Sequence, residues 1–223
     1  MVSGFNNWDR IRSLRQQWDA RNSGNCSESS WASEFGRLIP QKELYQDEFI
    51  ILSNGPYSDV SARDMGLEEG EWQRLSLTIR LEHECTHYFT RRLFGSMRNN
   101  MLDELIADYR GIVAATGQYR ADWFLRFLGL ESFPNYREGG RLQNYRGQPP
   151  LSDGAFKILQ ALAIAAADNL ERFDAEYTSE LTDTNIQPLM MGLTYLTLEE
   201  LASLEAKFRI QQTLDKLQTT LCV

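Results

Sequence analysis

The sequence predicts a mainly α fold of the α+β class. Long segments carry apolar residues at helical spacing, helix-capping residues stand at several of their ends, and only one short run has the composition of a strand. At 223 residues, 42% of them hydrophobic, the chain can bury a substantial core. We therefore expect a single domain over residues 1–223, built from four consecutive parts.

The first part, residues 1–68, is predicted to contain a short helix, a loop and a strand. The loop is assigned to residues 21–33, which are mostly small and polar. The strand is assigned to residues 48–53, an apolar run with two β-branched residues that ends at an Asn-Gly-Pro turn.

The second part, residues 69–130, is predicted to hold three helices. The first spans residues 69–93 and closes at Gly95, a residue type that commonly ends helices. The second begins after an Asn-Asn pair and runs over residues 101–116, where apolar residues follow helical spacing. The third covers residues 121–128.

The third part, residues 131–150, is rich in Gly, Pro, Arg, Tyr and Asn and is predicted to be an irregular connection. The fourth, residues 151–223, is a predicted helical lobe. One helix spans residues 152–177 and is apolar nearly all round between residues 158 and 167, as in a central helix. The last helix, residues 197–219, starts with a capping box and carries an apolar stripe that serves either the core or a dimer. The stripe consists of Leu198, Leu201, Leu204, Phe208, Ile210, Leu214 and Leu217.

Charge and composition exclude several classes of function. The net charge of −8 argues against nucleic-acid binding, which needs clustered Lys and Arg. The first 20 residues lack the apolar region of a secretion signal, and no stretch reaches the roughly 18 apolar residues of a membrane span. The three cysteines are widely spaced, so no disulfide framework is expected. We expect a cytoplasmic protein with no membrane partner, and nothing in the sequence indicates an oligomer.

The most informative feature is His83-Glu84-Cys85-Thr86-His87, which contains both histidines of the chain. This is the H-E-x-x-H pattern, in which two imidazoles on one helix face can share a zinc ion. On a helical wheel His87 falls about 40° and Glu84 about 100° from His83, so the three share a face. Cys85 falls at about 200° and is predicted to be a packed core residue.

Two histidines do not complete a catalytic zinc site, which usually takes three protein ligands. With no third histidine in the chain, the remaining ligand must be Asp, Glu or Cys. The next predicted helix carries Glu104 and Asp108, four residues apart on one face. Asp103 or Asp108 as the third ligand stays an alternative, since helix phase alone does not separate neighbouring carboxylates.

H-E-x-x-H followed on the next helix by E-x-x-x-D resembles the gluzincin metallopeptidases, the thermolysin-like group, over about thirty residues. The resemblance implies a zincin-like fold, in which the long motif helix packs on a second, glutamate-bearing helix beside a small edge sheet or strand. It also implies one Zn²⁺ per chain held by His83, His87 and Glu104, with Asp108 accepting the free N–H of His83. The function implied is hydrolysis of a peptide or amide bond, with Glu84 as general base for a zinc-activated water.

A gluzincin also needs groups that stabilise the oxyanion, and neither histidine here is free for that role. Candidates are Arg80, Arg91, Arg141 and Tyr145. For the two arginines of the motif helix, solvated charges or ion pairs are an equal alternative. Residues 48–53 could align an extended peptide as an edge strand, and a purely structural strand fits equally well.

Two other interpretations compete with the hydrolase. A catalytically inactive zincin could bind a partner and use its zinc structurally, which would require a fourth protein ligand such as Cys26 or Cys222. In the other, the motif is coincidental and its helix is an ordinary core helix.

Overall fold

The computed structural model describes residues 2–22, 27–94, 100–177 and 186–221. Over these residues the protein is mainly helical, with one two-stranded antiparallel sheet, as the sequence predicts. Contacts divide the chain into two units, Met1–Ile51 and Leu52–Val223, and each is described by itself. Whether both belong to the one domain expected from the sequence stays a prediction.

Over its described residues, the first unit contains two strands and two α-helices. β1 (Val2–Asn6) pairs antiparallel with β2 (Gln46–Ile50). Helices α1 (Trp8–Arg21) and α2 (Glu28–Leu38) lie between them in the chain. The buried Tyr45 anchors this unit, since its hydroxyl donates to the carbonyl of Ile39, which follows α2.

The loop predicted over residues 21–33 is corrected, because α2 already begins at Glu28. Ser27 caps the helix by accepting the backbone N–H of Ser30 at 3.1 Å. Trp31 and Phe35, four residues apart, then place their rings on one face with centroids 5.7 Å apart. These signals lie inside a small, polar stretch whose composition alone suggested a loop.

The strand predicted over residues 48–53 is found at Gln46–Ile50, and β1 was not predicted. In β1 a central glycine interrupts the β-branched and aromatic residues that mark strands. Pairing stabilises it nonetheless, since Phe5 stacks on Phe49 with ring centroids 4.8 Å apart.

The second unit begins with the four helices α3 to α6. These are α3 (Ala62–Met65), α4 (Glu69–Phe94), α5 (Asn100–Thr116) and α6 (Ala121–Leu128). Helices α4, α5 and α6 match the predicted ones to within a residue, and Gly95, the predicted end of the first, lies outside the described residues. Short 3-10 helices occur at Lys42–Leu44, Tyr57–Asp59 and Arg141–Tyr145.

Helices α4 and α5 pack closely because of a glycine at their contact. A Cβ atom on Gly111 would lie 2.7 Å from the backbone oxygen of Ile79, closer than such atoms approach. Gly111 therefore allows the backbones of the two helices to meet there. Ile79, Leu105, Ile106 and Ile112 are fully buried around this contact.

The helical C-terminal region contains α7 (Asp153–Tyr177), α8 (Ile186–Leu193), α9 (Leu198–Ala202) and α10 (Ala206–Leu221). Helix α8 was not predicted, because its apolar run is short and follows a polar stretch. Within α7 the fully buried residues are Ala163, Ala166, Ala167 and Leu170, whereas Ile158 is 64% exposed. Residues 158–167 are therefore buried on one side only, which corrects the prediction that this stretch is that of a central helix.

The single helix predicted over residues 197–219 is two helices. The capping box of Thr197 and Glu200 is present, but Ser203 has an extended backbone that ends α9. The side-chain amide of Asn169 on α7 donates to the carbonyls of Leu201 and Ser203, which compensates for the interrupted helix. The break divides the predicted stripe: Leu198, Leu201, Ile210 and Leu214 are buried, whereas Leu204 and Phe208 are exposed.

Among the described residues, no helix combines the length and the apolar character that crossing a membrane requires.

Candidate metal centre

Helix α4 presents the two histidines one turn apart. His83 and His87 are only 7% and 8% exposed, and their rings meet edge to face with centroids 4.4 Å apart. Their Nε2 atoms lie 2.9 Å from each other. The four-residue spacing of the motif thus brings two nitrogen ligands to one buried point.

Helix α5 brings Glu104 to the same point. Its two carboxylate oxygens lie 3.2 Å from His87 Nε2 and 3.6 Å from His83 Nε2. One donor atom from each of the three residues lies within 4.8 Å of the others, so the group could hold a metal ion. Within the described part of the chain, this is the one such group of three or more His, Cys, Asp or Glu side chains.

The outer nitrogen of each histidine faces a carboxylate of α5. His83 Nδ1 lies 2.8 Å from Asp108 Oδ1, the contact that the resemblance implies. His87 Nδ1 lies 3.0 Å from Asp103 Oδ2, and Thr90 donates to the other oxygen of Asp103. Both aspartates, considered above as alternative third ligands, are therefore engaged at Nδ1, which leaves Glu104 beside the Nε2 atoms.

The contact between Asp103 and His87 was not predicted, but the sequence contains a feature from which it could have been. The contacts between α4 and α5 are nested: His87 meets Asp103, His83 meets Asp108, and Ile79 meets Gly111. Such nesting is that of two antiparallel helices joined by a short connection. Once His83 is paired with Asp108, the antiparallel arrangement pairs His87 with a residue about one turn earlier on α5.

These contacts test whether a metal fits the site. Because both Nδ1 atoms face carboxylates, which only accept hydrogen bonds, each Nδ1 carries a proton. Two unprotonated Nε2 atoms at 2.9 Å would repel each other, so the site needs a proton or a cation between them. Burial lowers the pKa of His87, but hydrogen bonds to Asp103 and Glu104 outweigh this and raise the pKa to about 9. A divalent cation can replace that proton, which is the usual exchange on metal binding.

The charges of the site also suit a divalent cation. The carboxylates of Asp103, Glu104 and Asp108 contribute three negative charges, against one positive charge from Arg141 nearby. Burial raises the pKa of Asp108, but Arg141 and His83 lower it to about 2, so this carboxylate stays ionised. With both histidines neutral, the sum is −2, which Zn²⁺ would balance.

A tyrosine that the sequence interpretation missed lies behind His83. The Tyr57 hydroxyl donates to Asp108 Oδ1 at 2.6 Å and lies 2.8 Å from His83 Nδ1. Arg141 donates to the same hydroxyl at 3.0 Å and also pairs with Asp108 Oδ2. We call Tyr57, His83, Asp108 and Arg141 the Tyr57 network. No motif marks Tyr57, which lies 26 residues before His83 in a short turn.

Arg80, a candidate for the oxyanion role, holds this turn. Its guanidinium donates to the backbone oxygens of Ser53, Gly55 and Pro56 at 2.7, 3.1 and 3.2 Å. It also lies over the ring of Tyr57, 5.6 Å from the centroid. The observed contacts therefore give Arg80 a structural role.

The other three candidates differ in their distance from the ligands. Arg91 is exposed near the end of α4. Arg141 is engaged with Asp108 and the Tyr57 hydroxyl, and lies 3.8 Å from a Glu104 oxygen. Tyr145 is half-buried, and burial, followed by the nearby charge of Glu104, raises the pKa of its phenol. The structure thus brings Arg141 and Tyr145 to the site.

Comparison with known proteins adds a family but no function. The chain belongs to DUF7005, a family of unknown function. The family model matches residues 1–205, which include every residue of the candidate centre. No curated protein and no solved structure matches the chain. What this member of the family does must be inferred from the geometry of its site.

Glu84 and Cys85, which lie between the two histidines in sequence, differ in their exposure. Glu84, the candidate base, is half-buried on α4. Cys85 is exposed, which corrects the prediction that it packs in the core. Its side of α4 lines a groove with Glu82, Phe89 and residues of α5 and α8. Cys26 and Cys222, suggested as a fourth ligand, lie outside the described residues.

Proposed function

We propose that this protein is a zinc-dependent hydrolase, most simply a metallopeptidase or amidase of the gluzincin type. The observation that carries the proposal is the convergence of His83 Nε2, His87 Nε2 and the Glu104 carboxylate within 4.8 Å. Each histidine has its Nδ1 atom committed to an aspartate, which turns its Nε2 lone pair toward the common point. In zinc sites, the histidine nitrogen that does not bind the metal usually donates to a carboxylate in this way.

The number of ligands favours a catalytic centre over a structural one. Structural zinc sites are usually closed by four protein ligands, whereas catalytic sites use three. Among the described residues, Asp103 and Asp108 are taken up at the Nδ1 atoms, and the group of three is not extended by a further His, Cys, Asp or Glu. When bound there, zinc would supply a Lewis acid and lower the pKa of a coordinated water.

Glu84 is the general base of the proposed reaction. It directly follows the ligand His83 on α4, and its carboxylate is half-buried. In this role the carboxylate takes a proton from the attacking water and then passes it to the leaving nitrogen. This proton transfer gives Glu84 a function that a purely structural zinc site would not need.

Tyr145 is the best candidate for stabilising the oxyanion. Burial, followed by the nearby charge of the proposed ligand Glu104, raises the pKa of its hydroxyl, so the phenol keeps its proton as a donor. Arg141 is the weaker candidate, because its guanidinium is already engaged by Asp108 and Tyr57. A neutral phenolic donor can stabilise a developing negative charge on a carbonyl oxygen.

The proposal is tested by metal content and by peptide cleavage. Purified protein is expected to hold about one zinc per chain, and His83→Ala or Glu104→Ala is expected to lose it. In a peptide-library assay, Glu84→Gln is expected to lower the cleavage rate by about 10²–10⁴-fold while zinc stays bound. Tyr145→Phe is expected to lower kcat by about 10²-fold, also with zinc retained.

Glu69→Gln is the matched control, since it removes the same charge from an exposed position on the same helix. Zinc retained by both ligand variants would refute the site. If the zinc-loaded wild type and Glu84→Gln cleave peptides at the same rate, the proposed hydrolase activity is refuted. That result would favour an inactive, zinc-binding interaction protein.

A further inference from the structure

We propose that Tyr57 is a positioning residue for the metal centre, which acts by holding His83 in the orientation and tautomer that binds metal. This inference rests on the proposed metal site, but it concerns a residue outside the H-E-x-x-H and E-x-x-x-D motifs. The Tyr57 hydroxyl lies where His83, Asp108 and Arg141 meet, and each of the three is within 3.0 Å of it.

The hydrogen-bonding capacity of the hydroxyl matches these three neighbours. A tyrosine hydroxyl has one proton to donate and accepts through its oxygen. Asp108 can only accept, so the proton goes to its Oδ1 atom at 2.6 Å. Arg141 can only donate, so it occupies the oxygen of Tyr57 at 3.0 Å. His83 Nδ1 at 2.8 Å must then donate as well, which leaves its Nε2 atom unprotonated for metal.

The segment around Tyr57 is built to hold the ring in place. The ring is 4% exposed and meets Phe127 edge to face at 4.9 Å, while the backbone N–H of Tyr57 donates to the buried hydroxyl of Ser76. The next two residues, Ser58 and Asp59, have φ angles of 52° and 56°, which non-glycine residues rarely adopt. Such a backbone persists only where surrounding contacts hold it, which agrees with the contacts of Tyr57 to Phe127 and Ser76.

The two histidines differ in this respect. The observed Nδ1 partner of His87 is Asp103, which lies on α5. Around His83 the network adds Tyr57 from the turn before α3 and Arg141 from the segment before α7. Removing the Tyr57 hydroxyl should therefore disturb His83 and leave His87 nearly unchanged.

The test compares Tyr57→Phe with Tyr109→Phe. Tyr109 is also buried and donates to an aspartate at 2.6 Å, but that aspartate is Asp174, away from the metal ligands. Zinc affinity is measured by competition with a chromogenic chelator. We expect Tyr57→Phe to raise the Kd for zinc by about 10-fold, in line with other outer contacts of metal ligands, and Tyr109→Phe to leave it within about twofold.

A spectroscopic readout separates positioning from general loosening of the structure. The chain has two histidines, so the zinc-loaded protein has two sets of imidazole ¹⁵N and ¹H resonances, and the set that shows contacts with the ring of residue 57 belongs to His83. In Tyr57→Phe the Nδ1–H resonance of His83 is expected to shift while that of His87 stays in place. Arg141→Lys, which removes a planar donor to the Tyr57 oxygen but keeps a positive charge, is expected to shift the same resonance if Tyr57→Phe does not fold.

Each failure has a distinct signature. A wild type that binds no zinc overturns the proposed function itself. A wild type that binds zinc, with Tyr57→Phe equal to it in Kd and in the His83 resonance, overturns the positioning role and leaves the metal site standing. Equal losses of affinity in Tyr57→Phe and Tyr109→Phe would also overturn it, because they would reflect a structural effect common to buried tyrosines.

Discussion

Two buried tyrosine–aspartate pairs meet α5 at consecutive residues, and their aspartates have different additional partners. Asp108 accepts from Tyr57 at 2.6 Å, and Tyr109 donates to Asp174 at 2.6 Å. Both aspartates are at most 2% exposed. Asp108 also binds the candidate ligand His83, whereas Asp174 also accepts the backbone N–H of Tyr119 at 2.9 Å.

Both carboxylates accept a hydrogen bond from a tyrosine, so the difference between them lies in the other groups that each carboxylate contacts. Around Asp108 the charge is shared with Arg141 and with an imidazole that can bind metal. The contacts of Asp174 with Tyr109 and Tyr119 tie α7 to the middle of α5 and to the residues that lead into α6. We therefore expect the two pairs to respond differently in stability tests as well as in metal-binding tests.

The largest difference is expected when each aspartate is replaced by asparagine. Asp108→Asn leaves the half-buried Arg141 without its main counter-charge, which should cost about 3 kcal/mol in the free energy of unfolding. Asp174→Asn weakens hydrogen bonds without stranding a cation in the described contacts, and should cost about 1 kcal/mol. Urea denaturation of the metal-free proteins measures both.

The same two variants should separate further in zinc affinity. We expect Asp108→Asn to raise the Kd for zinc by about 10–100-fold and Asp174→Asn to leave it unchanged. If Asp174→Asn weakens zinc binding as strongly, the distinction between the two pairs is wrong.

A smaller effect is expected where α4 and α5 touch. In Gly111→Ala the new methyl group would overlap the backbone of Ile79, which should cost about 1–3 kcal/mol and shift the histidines relative to Glu104. Zinc affinity should fall, whereas hydrogen exchange of the Tyr119 amide, which reports on the Asp174 contacts, should change little. Gly70→Ala on α4 is the control: no atom lies within 4 Å of its added Cβ, and it should stabilise by about 0.5 kcal/mol.

If Gly70→Ala lowered the free energy of unfolding as strongly as Gly111→Ala, the loss in Gly111→Ala would come from alanine substitution in general and not from the close contact of α4 and α5.

The smallest effect is expected at Arg80. Arg80→Gln removes the donor that holds three backbone oxygens before Tyr57, and should cost about 1 kcal/mol because the site is partly exposed. Zinc affinity should fall less than in Tyr57→Phe, since the hydroxyl itself remains. Arg74→Gln, on an exposed part of the same helix, is the control and should have neither effect. If Arg80→Gln loses peptide cleavage while its zinc affinity stays unchanged, Arg80 contacts the substrate directly.

The candidate site was partly predictable, because its central residues are local to two helices. The i, i+4 spacing of His83 and His87 is a property of the helix alone, and so is the spacing of Glu104 and Asp108. The boundaries of α4, α5 and α6 followed from periodic apolar residues and from capping signals. The break of the last helix at Ser203 was not predictable, because it is compensated by Asn169 from another helix.

By itself, the sequence determined which side chains can bind a metal. With two histidines in the chain, both on one helix face, the third ligand had to be of another residue type, and Glu104 is the one that lies beside them. The tertiary structure decided everything that depends on distant residues: the pairing of Asp103 with His87, the contacts of Arg80 and Arg141, the exposure of Cys85, and the presence of Tyr57 behind His83. The physical reason is that helical periodicity relates residues only a few positions apart. The contacts of Tyr57 with His83 and Arg141 join residues 26 and 84 positions apart, and they exist only once the helices have packed.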